Sequence, residues 1–170
     1  MKRLIAIPAL ISSLRIGALP VFFFLFAQKN IVGCLILLTF CASTDYLDGS
    51  LARKLEVTSR FGAYYDALTD FILMIGIFTI FYEVGYYPVW FLILIAASFI
   101  QFLATGRYSR KIYDPVGRYL GSSLYIGTVL TLIFPIQESF NFVQYAFVGF
   151  FLVSLISRII SLTRTALNEY

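Results

Sequence analysis

The sequence predicts an all-α integral membrane protein: six transmembrane helices preceded by a short interfacial helix, with both termini in the cytoplasm. Three observations predict it. Of 170 residues, 60% are hydrophobic and 13% are charged, against about 25% charged in an ordinary soluble domain. A chain this apolar could not cover a water-facing surface, so lipid must be the solvent for much of it. The apolar residues also fall into six runs close to the ~20 residues needed to cross a hydrocarbon core. Finally, the basic residues sort to one side of those runs.

The elements follow in chain order. Residues 1–14 open with Lys2-Arg3 and an apolar run, but no Ala-x-Ala-like site follows, so no cleavable signal peptide is expected. Pro8, with Arg15 some residues on, suits a short interfacial helix that leads into the first span. The spans run over 17–28 and backwards from there, then 31–51, 62–82, 88–106, 119–136 and 142–163. Short connections separate them, among them Gln28-Lys29-Asn30, Gly85-Tyr86-Tyr87-Pro88 and Gln137-Glu138-Ser139.

Lys2, Arg3, Arg15, Arg53, Lys54, Arg60, Arg107, Arg110, Lys111, Arg118 and Arg164 belong to the termini or to the second and fourth connections, while the others carry only Lys29. Positive charge stays on the cytoplasmic side, which puts both termini there. With no repeat, low-complexity tract or linker, residues 1–170 read as a single domain. The basic charge follows the membrane face, and no nucleic-acid partner is expected.

Cys34 and Cys41, seven apart on the second run, read as small packing residues. The chain has no His to complete a zinc site with them, and imidazole acid–base chemistry is excluded for the same reason.

The chemistry concentrates between Asp45 and Asp70. Asp45 and Asp48 are three apart, and Asp66 and Asp70 are four apart, so on helices each pair shares a face. The short connection around Lys54–Arg60 makes the two helices antiparallel neighbours able to bring the pairs together. Four carboxylates converging at a membrane boundary would repel strongly and need cations. Hard oxygen ligands select Mg²⁺, Mn²⁺ or Ca²⁺. Solvated helix caps would account for one or two of these residues, but not for two same-face pairs in apolar sequence. Gly49 lies one turn before Arg53, and Asp48 one turn before Ala52. Small residues often serve helix packing. Beside four carboxylates and a phosphate-seeking Arg, they instead suggest close approach of a bulky ligand to the helix backbone.

This stretch resembles the CDP-alcohol phosphotransferases, also called CDP-alcohol phosphatidyltransferases. Their signature, D-x2-D-G-x2-A-R-x8-G-x3-D-x3-D, is matched at Asp45, Asp48, Gly49, Ala52, Arg53, Gly62, Asp66 and Asp70. Members of the phosphatidylglycerophosphate and phosphatidylinositol-phosphate synthase type often carry P-N-x-x-T-x-x-R before the first span. This chain has Pro8, Ala9, Ser12 and Arg15 there, Ala9 replacing the Asn and Ser12 the Thr.

The resemblance implies a metal-dependent transfer of a phosphatidyl-type group, carrying diacylglycerol or archaeol, from a CDP-linked lipid donor to a small polar alcohol acceptor, with release of CMP. It implies one or two Mg²⁺ or Mn²⁺ ions held by Asp45, Asp48, Asp66 and Asp70, with Asp70 also the general base. Donor binding falls to Asp48, Gly49, Ala52, Arg53 and Gly62. It further implies a homodimer in the lipid bilayer, with the site on the cytoplasmic side of a prokaryotic cell membrane. General chemistry agrees: a divalent cation stabilises charge on transferring phosphoryl oxygens, and without His a carboxylate must take the hydroxyl proton.

A second basic cluster, Arg107, Arg110, Lys111 and Arg118, together with Arg158 inside the last span, marks an acceptor end. Loop charge can simply set topology or meet anionic lipid heads. Arg158, however, lies in apolar sequence, where a cation is costly without a partner. Relatives that use phosphorylated alcohols resemble this arrangement, which favours glycerol 3-phosphate or inositol phosphate over serine or a second lipid as acceptor. A cation transporter would account for the carboxylates but not for Gly49, Ala52 and Arg53 at helical spacing.

Overall fold

All six apolar runs form helices in the computed structural model, which describes residues 2–54, 60–108 and 117–167, with side chains described for 15–44, 65, 67–103, 120–160 and 163. The helices are α1 (Lys2–Ala27), α2 (Ile31–Lys54), α3 (Arg60–Glu83), α4 (Val89–Tyr108), α5 (Gly117–Ile133) and α6 (Gln137–Leu167). No strand occurs among the described residues.

One expectation is corrected. The interfacial helix and the first span are not separate elements, because α1 runs unbroken from Lys2 to Ala27. Pro8 removes a single N–H donor from the second turn, and the good helix formers on either side carry the helix through it. Pro20 is likewise accommodated inside α1.

Local chemistry sets the turns. After α1 the Asn30 N–H donates to the Leu25 carbonyl at 3.0 Å and the Lys29 N–H to that of Phe26 at 2.9 Å. This closure puts Lys29 in the left-handed region, at φ 57°. Asn30 then caps α2, its Oδ1 accepting from the Gly33 N–H at 2.9 Å. The end of α3 closes in the same way around Gly85 (φ 80°), where a residue without Cβ pays no steric cost. There the Tyr86 N–H donates to the Phe81 carbonyl at 2.9 Å, and the two rings meet with centroids 6.0 Å apart.

The chain forms two compact units, Met1–Ile80 and Phe81–Tyr170. In the first, α2 buries Cys34, Leu38 and Cys41 along one face, and both thiols are free. The sequence expectation of cysteines as packing residues agrees with this. Arg15 of α1 meets Asp70 of α3, and one turn further on Leu19 lies against Gly76. Both contacts advance along the two helices together, so α1 and α3 run in the same direction.

At Gly76 an added Cβ would sit 2.5 Å from Leu19 Cδ2. Gly76→Leu is therefore expected to force α1 away from α3 and cost about 1–3 kcal/mol, as overpacking does. Thermal unfolding in detergent would check this; an unchanged melting temperature would contradict the close approach.

In the second unit α5 and α6 form a hairpin in which Gly127 admits Val143. Aromatic rings join α4 and the connection before it to α6: Tyr87 with Phe140 at 5.6 Å and Phe91 with Phe147 at 5.5 Å. The Tyr87 hydroxyl shares a 2.6 Å hydrogen bond with Thr131. Burial pushes the Tyr87 phenol up to about 12, the bond to Thr131 pulling the other way, so this connection stays neutral. Arg158 lies opposite Gln101 at the far end. These pairs advance together along α4 and α6, which also run in the same direction.

The outer surface is apolar. Val32 is 66% exposed, Ile100 65% and Phe142 64%; such side chains recur on every helix whose side chains are described. Large apolar side chains exposed on every such helix suit a lipid surrounding. Among the described residues the stretch Gln137–Ile160 of α6 is long and apolar enough to cross a membrane. Its 24 residues rise about 36 Å against a ~30 Å hydrocarbon core. The shorter apolar stretches are Arg15–Ala27, Ile31–Thr44, Val89–Leu103 and Leu120–Ile133.

Candidate active site

Asp70 is the residue of the acidic motif whose surroundings are visible. It lies on α3, a turn and a half before Gly76, and its side chain is 34% exposed. The guanidinium of Arg15, 1% exposed, donates from Nη1 to Asp70 Oδ1 at 2.6 Å. An isolated cation in so apolar a setting would be expensive, and a carboxylate across the helix interface offsets that cost. The charge-assisted bond is short, and Arg15 therefore approaches from the buried side while Asp70 keeps an exposed face.

The third helix of this unit reaches the same place. Cys41, buried on α2, lies within electrostatic range of both Arg15 and Asp70. On α2, Asp45 follows one helical turn after Cys41, and Asp48 follows within the next turn.

Asp45, Asp48, Gly49, Ala52 and Arg53 lie on α2, and Gly62 and Asp66 on α3, but their side chains are outside the described residues. The same holds for Arg107 on α4 and Arg118 on α5, while Arg110 and Lys111 fall wholly outside. No group of three or more His, Cys, Asp or Glu is assembled among the described residues.

Arg158 is described and is 6% exposed. The sequence argument gave it an anion or a route to the interface. Its Nη1 donates to the backbone carbonyl of Gln101 on α4 at 2.5 Å, so a carbonyl dipole helps hold this cation between helices.

Arg15, counted in the sequence among the basic residues of the cytoplasmic side, is buried against Asp70. The signal that marked it was its place as the closing Arg of Pro8-Ala9-x-x-Ser12-x-x-Arg15.

Comparison with known proteins gives the same direction. The sequence model of the CDP-alcohol phosphatidyltransferase family matches residues 5–167. The chain is similar to the CDP-diacylglycerol--glycerol-3-phosphate 3-phosphatidyltransferase of Pectobacterium atrosepticum, at 33% identity over 97 residues, covering 55% of this chain and 52% of the relative. The protein of the same name from Yersinia enterocolitica gives the same figures. That from Pseudomonas fluorescens is 38% identical over 71 residues, covering 40% of this chain and 36% of its own. The chain spans about half the length of the curated relatives it matches. No solved structure matches.

Proposed function

Because the chain belongs to the CDP-alcohol phosphatidyltransferase family, we propose that it transfers the phosphatidyl group of CDP-diacylglycerol to a free hydroxyl of glycerol 3-phosphate. The acceptor oxygen bonds to the phosphorus that carries the diacylglycerol. The bond from that phosphorus to the bridging oxygen breaks, and CMP leaves. The observation that carries this reading is Asp70, a part-exposed carboxylate held from behind by a buried arginine. The names of the similar proteins supply the substrates.

The residues divide the work as follows. Asp70 accepts the proton of the attacking hydroxyl, the role left to a carboxylate in a chain without His. Gly49, Ala52 and Gly62 leave room for the cytidine, and Arg53 faces the donor phosphates. Asp45, Asp48, Asp66 and Asp70 form an all-oxygen donor set that fits Mg²⁺ or Mn²⁺. When bound, such an ion neutralises charge on the transferring and leaving oxygens. Six spans with both termini cytoplasmic put these residues at the inner face of a prokaryotic membrane, where the donor's head group lies and its acyl chains stay in lipid. The family match runs through both compact units, in keeping with one domain, and the protein acts as a homodimer.

Arg107, Arg110, Lys111, Arg118 and Arg158 receive the acceptor phosphate in this reading. The test is the full chain in bilayer nanodiscs with CDP-diacylglycerol and Mn²⁺, reading CMP released with each of several acceptors. Glycerol 3-phosphate is expected to support turnover, and free glycerol or serine is not. Arg118→Gln and Arg158→Gln should each raise the acceptor KM roughly ten- to a hundredfold, the loss of a charge-assisted bond of about 1.5–3 kcal/mol. The donor KM should stay put. A preference for serine would remove the phosphate reading and leave the reaction class. If Arg158→Gln lowered the melting temperature alone, Arg158 would be a clamp between α6 and α4.

A further inference from the structure

The geometry points to Arg15 as a positioning residue for Asp70, which makes α1 part of the reaction centre and not only a membrane anchor. The inference rests on the proposed role of Asp70 as metal ligand and base.

Three observations carry it. First, Arg15 is 1% exposed and its Nη1 holds Asp70 Oδ1 at 2.6 Å, across 55 residues of sequence. The carboxylate itself is 34% exposed, so the arginine holds one of its oxygens while part of the group stays open. Second, the pair is anchored: one turn along α1, Leu19 fills the space over Gly76, fixing the register of α1 on α3. Third, Cys41 of α2 lies within electrostatic range of both charges, and Asp45 follows it by one turn. Arg15 is therefore a buried cation held on the last carboxylate of the acidic motif.

Stability alone is a poor reason to keep such a pair, because buried ion pairs are often replaceable by apolar residues without loss. Orientation is a better one. A carboxylate turns freely about its last bond, and a ligand or base must present one oxygen in one direction. A guanidinium on Oδ1 fixes that direction, as outer partners of metal-binding groups commonly do.

The test uses the full chain in nanodiscs and a readout independent of turnover, Mn²⁺ affinity by electron paramagnetic resonance. Arg15→Gln is expected to weaken Mn²⁺ binding 10- to 100-fold, the usual effect of losing an orienting partner. It should lower kcat similarly while the donor KM changes less than about threefold. In an Asp70→Asn background, whose Mn²⁺ affinity is already lowered by loss of a proposed ligand, the same replacement should give no further fold-change, because its effect passes through Asp70. Should Arg15→Gln alone fail to fold, Arg15→Lys takes its place in both backgrounds, and the difference between backgrounds decides.

Equal effects in the two backgrounds, or wild-type Mn²⁺ affinity in the single variant, would overturn the assignment. Absence of CMP release from the wild-type protein, with the coupling intact, would remove the proposed reaction and leave Arg15 as the partner that orients Asp70.

Discussion

Asp66→Asn, and equally Asp45→Asn, is expected to abolish CMP release while leaving the helices folded. Asn keeps the size of Asp and one acceptor oxygen but removes the charge. In the proposed site four aspartates would meet in a membrane protein, and carboxylates at that density repel one another without a cation. Removing one should therefore cost divalent-ion binding more than it costs packing. The metal's stabilisation of the transferring phosphoryl group is worth several kcal/mol, and about 4 kcal/mol is a thousandfold in rate. In the wild-type protein EDTA should stop turnover and Mg²⁺ or Mn²⁺ should restore it. The check is CMP release alongside circular dichroism and melting temperature for each variant. Full turnover in EDTA would end the metal-site reading.

The fold was legible because lipid imposes a simple grammar: spans must be long, apolar and helical. Hence α2, predicted at 31–51, is Ile31–Lys54, and α3, predicted at 62–82, is Arg60–Glu83. The start of the chain was misread for a local reason. Pro8 was given the weight of a boundary, whereas inside an apolar helix it costs one hydrogen bond and α1 continues through it.

The site was legible as a motif and illegible as a set of contacts. The spacing of Asp70 from Asp66 marks a helix face, but nothing in local sequence shows that Arg15, 55 residues earlier, reaches the same carboxylate. Sorting charges by membrane side treats each one as solvated at an interface, and a buried arginine breaks that assumption. Arg158 exposes the same weakness from the other side. Its apolar setting calls for a partner, and one of its partners is a backbone carbonyl, that of Gln101, which carries no mark in the sequence.

Gly49→Leu is expected to block the donor and spare the metal, which separates the two functions that crowd onto the end of α2. Gly49 lies one residue after Asp48 and one turn before Arg53, so a ligand with its phosphates at Arg53 has its nucleotide close to the helix backbone at Gly49. Glycine presents no side chain there, and leucine would add four carbons in the space proposed for the cytidine. Forcing a bulky group into an occupied space costs about 1–3 kcal/mol or more, so donor KM should rise roughly ten- to a hundredfold or beyond measurement. Gly49→Ala, adding one carbon, should show a smaller rise. Mn²⁺ affinity should remain near wild type in both, because neither change touches a carboxylate. The discriminating measurement is equilibrium binding of CDP-diacylglycerol in nanodiscs beside Mn²⁺ affinity on the same samples. Normal donor binding by Gly49→Leu would move the cytidine off this face of α2, and a parallel loss of Mn²⁺ would mean that the substitution had disturbed the helix and not the nucleotide space.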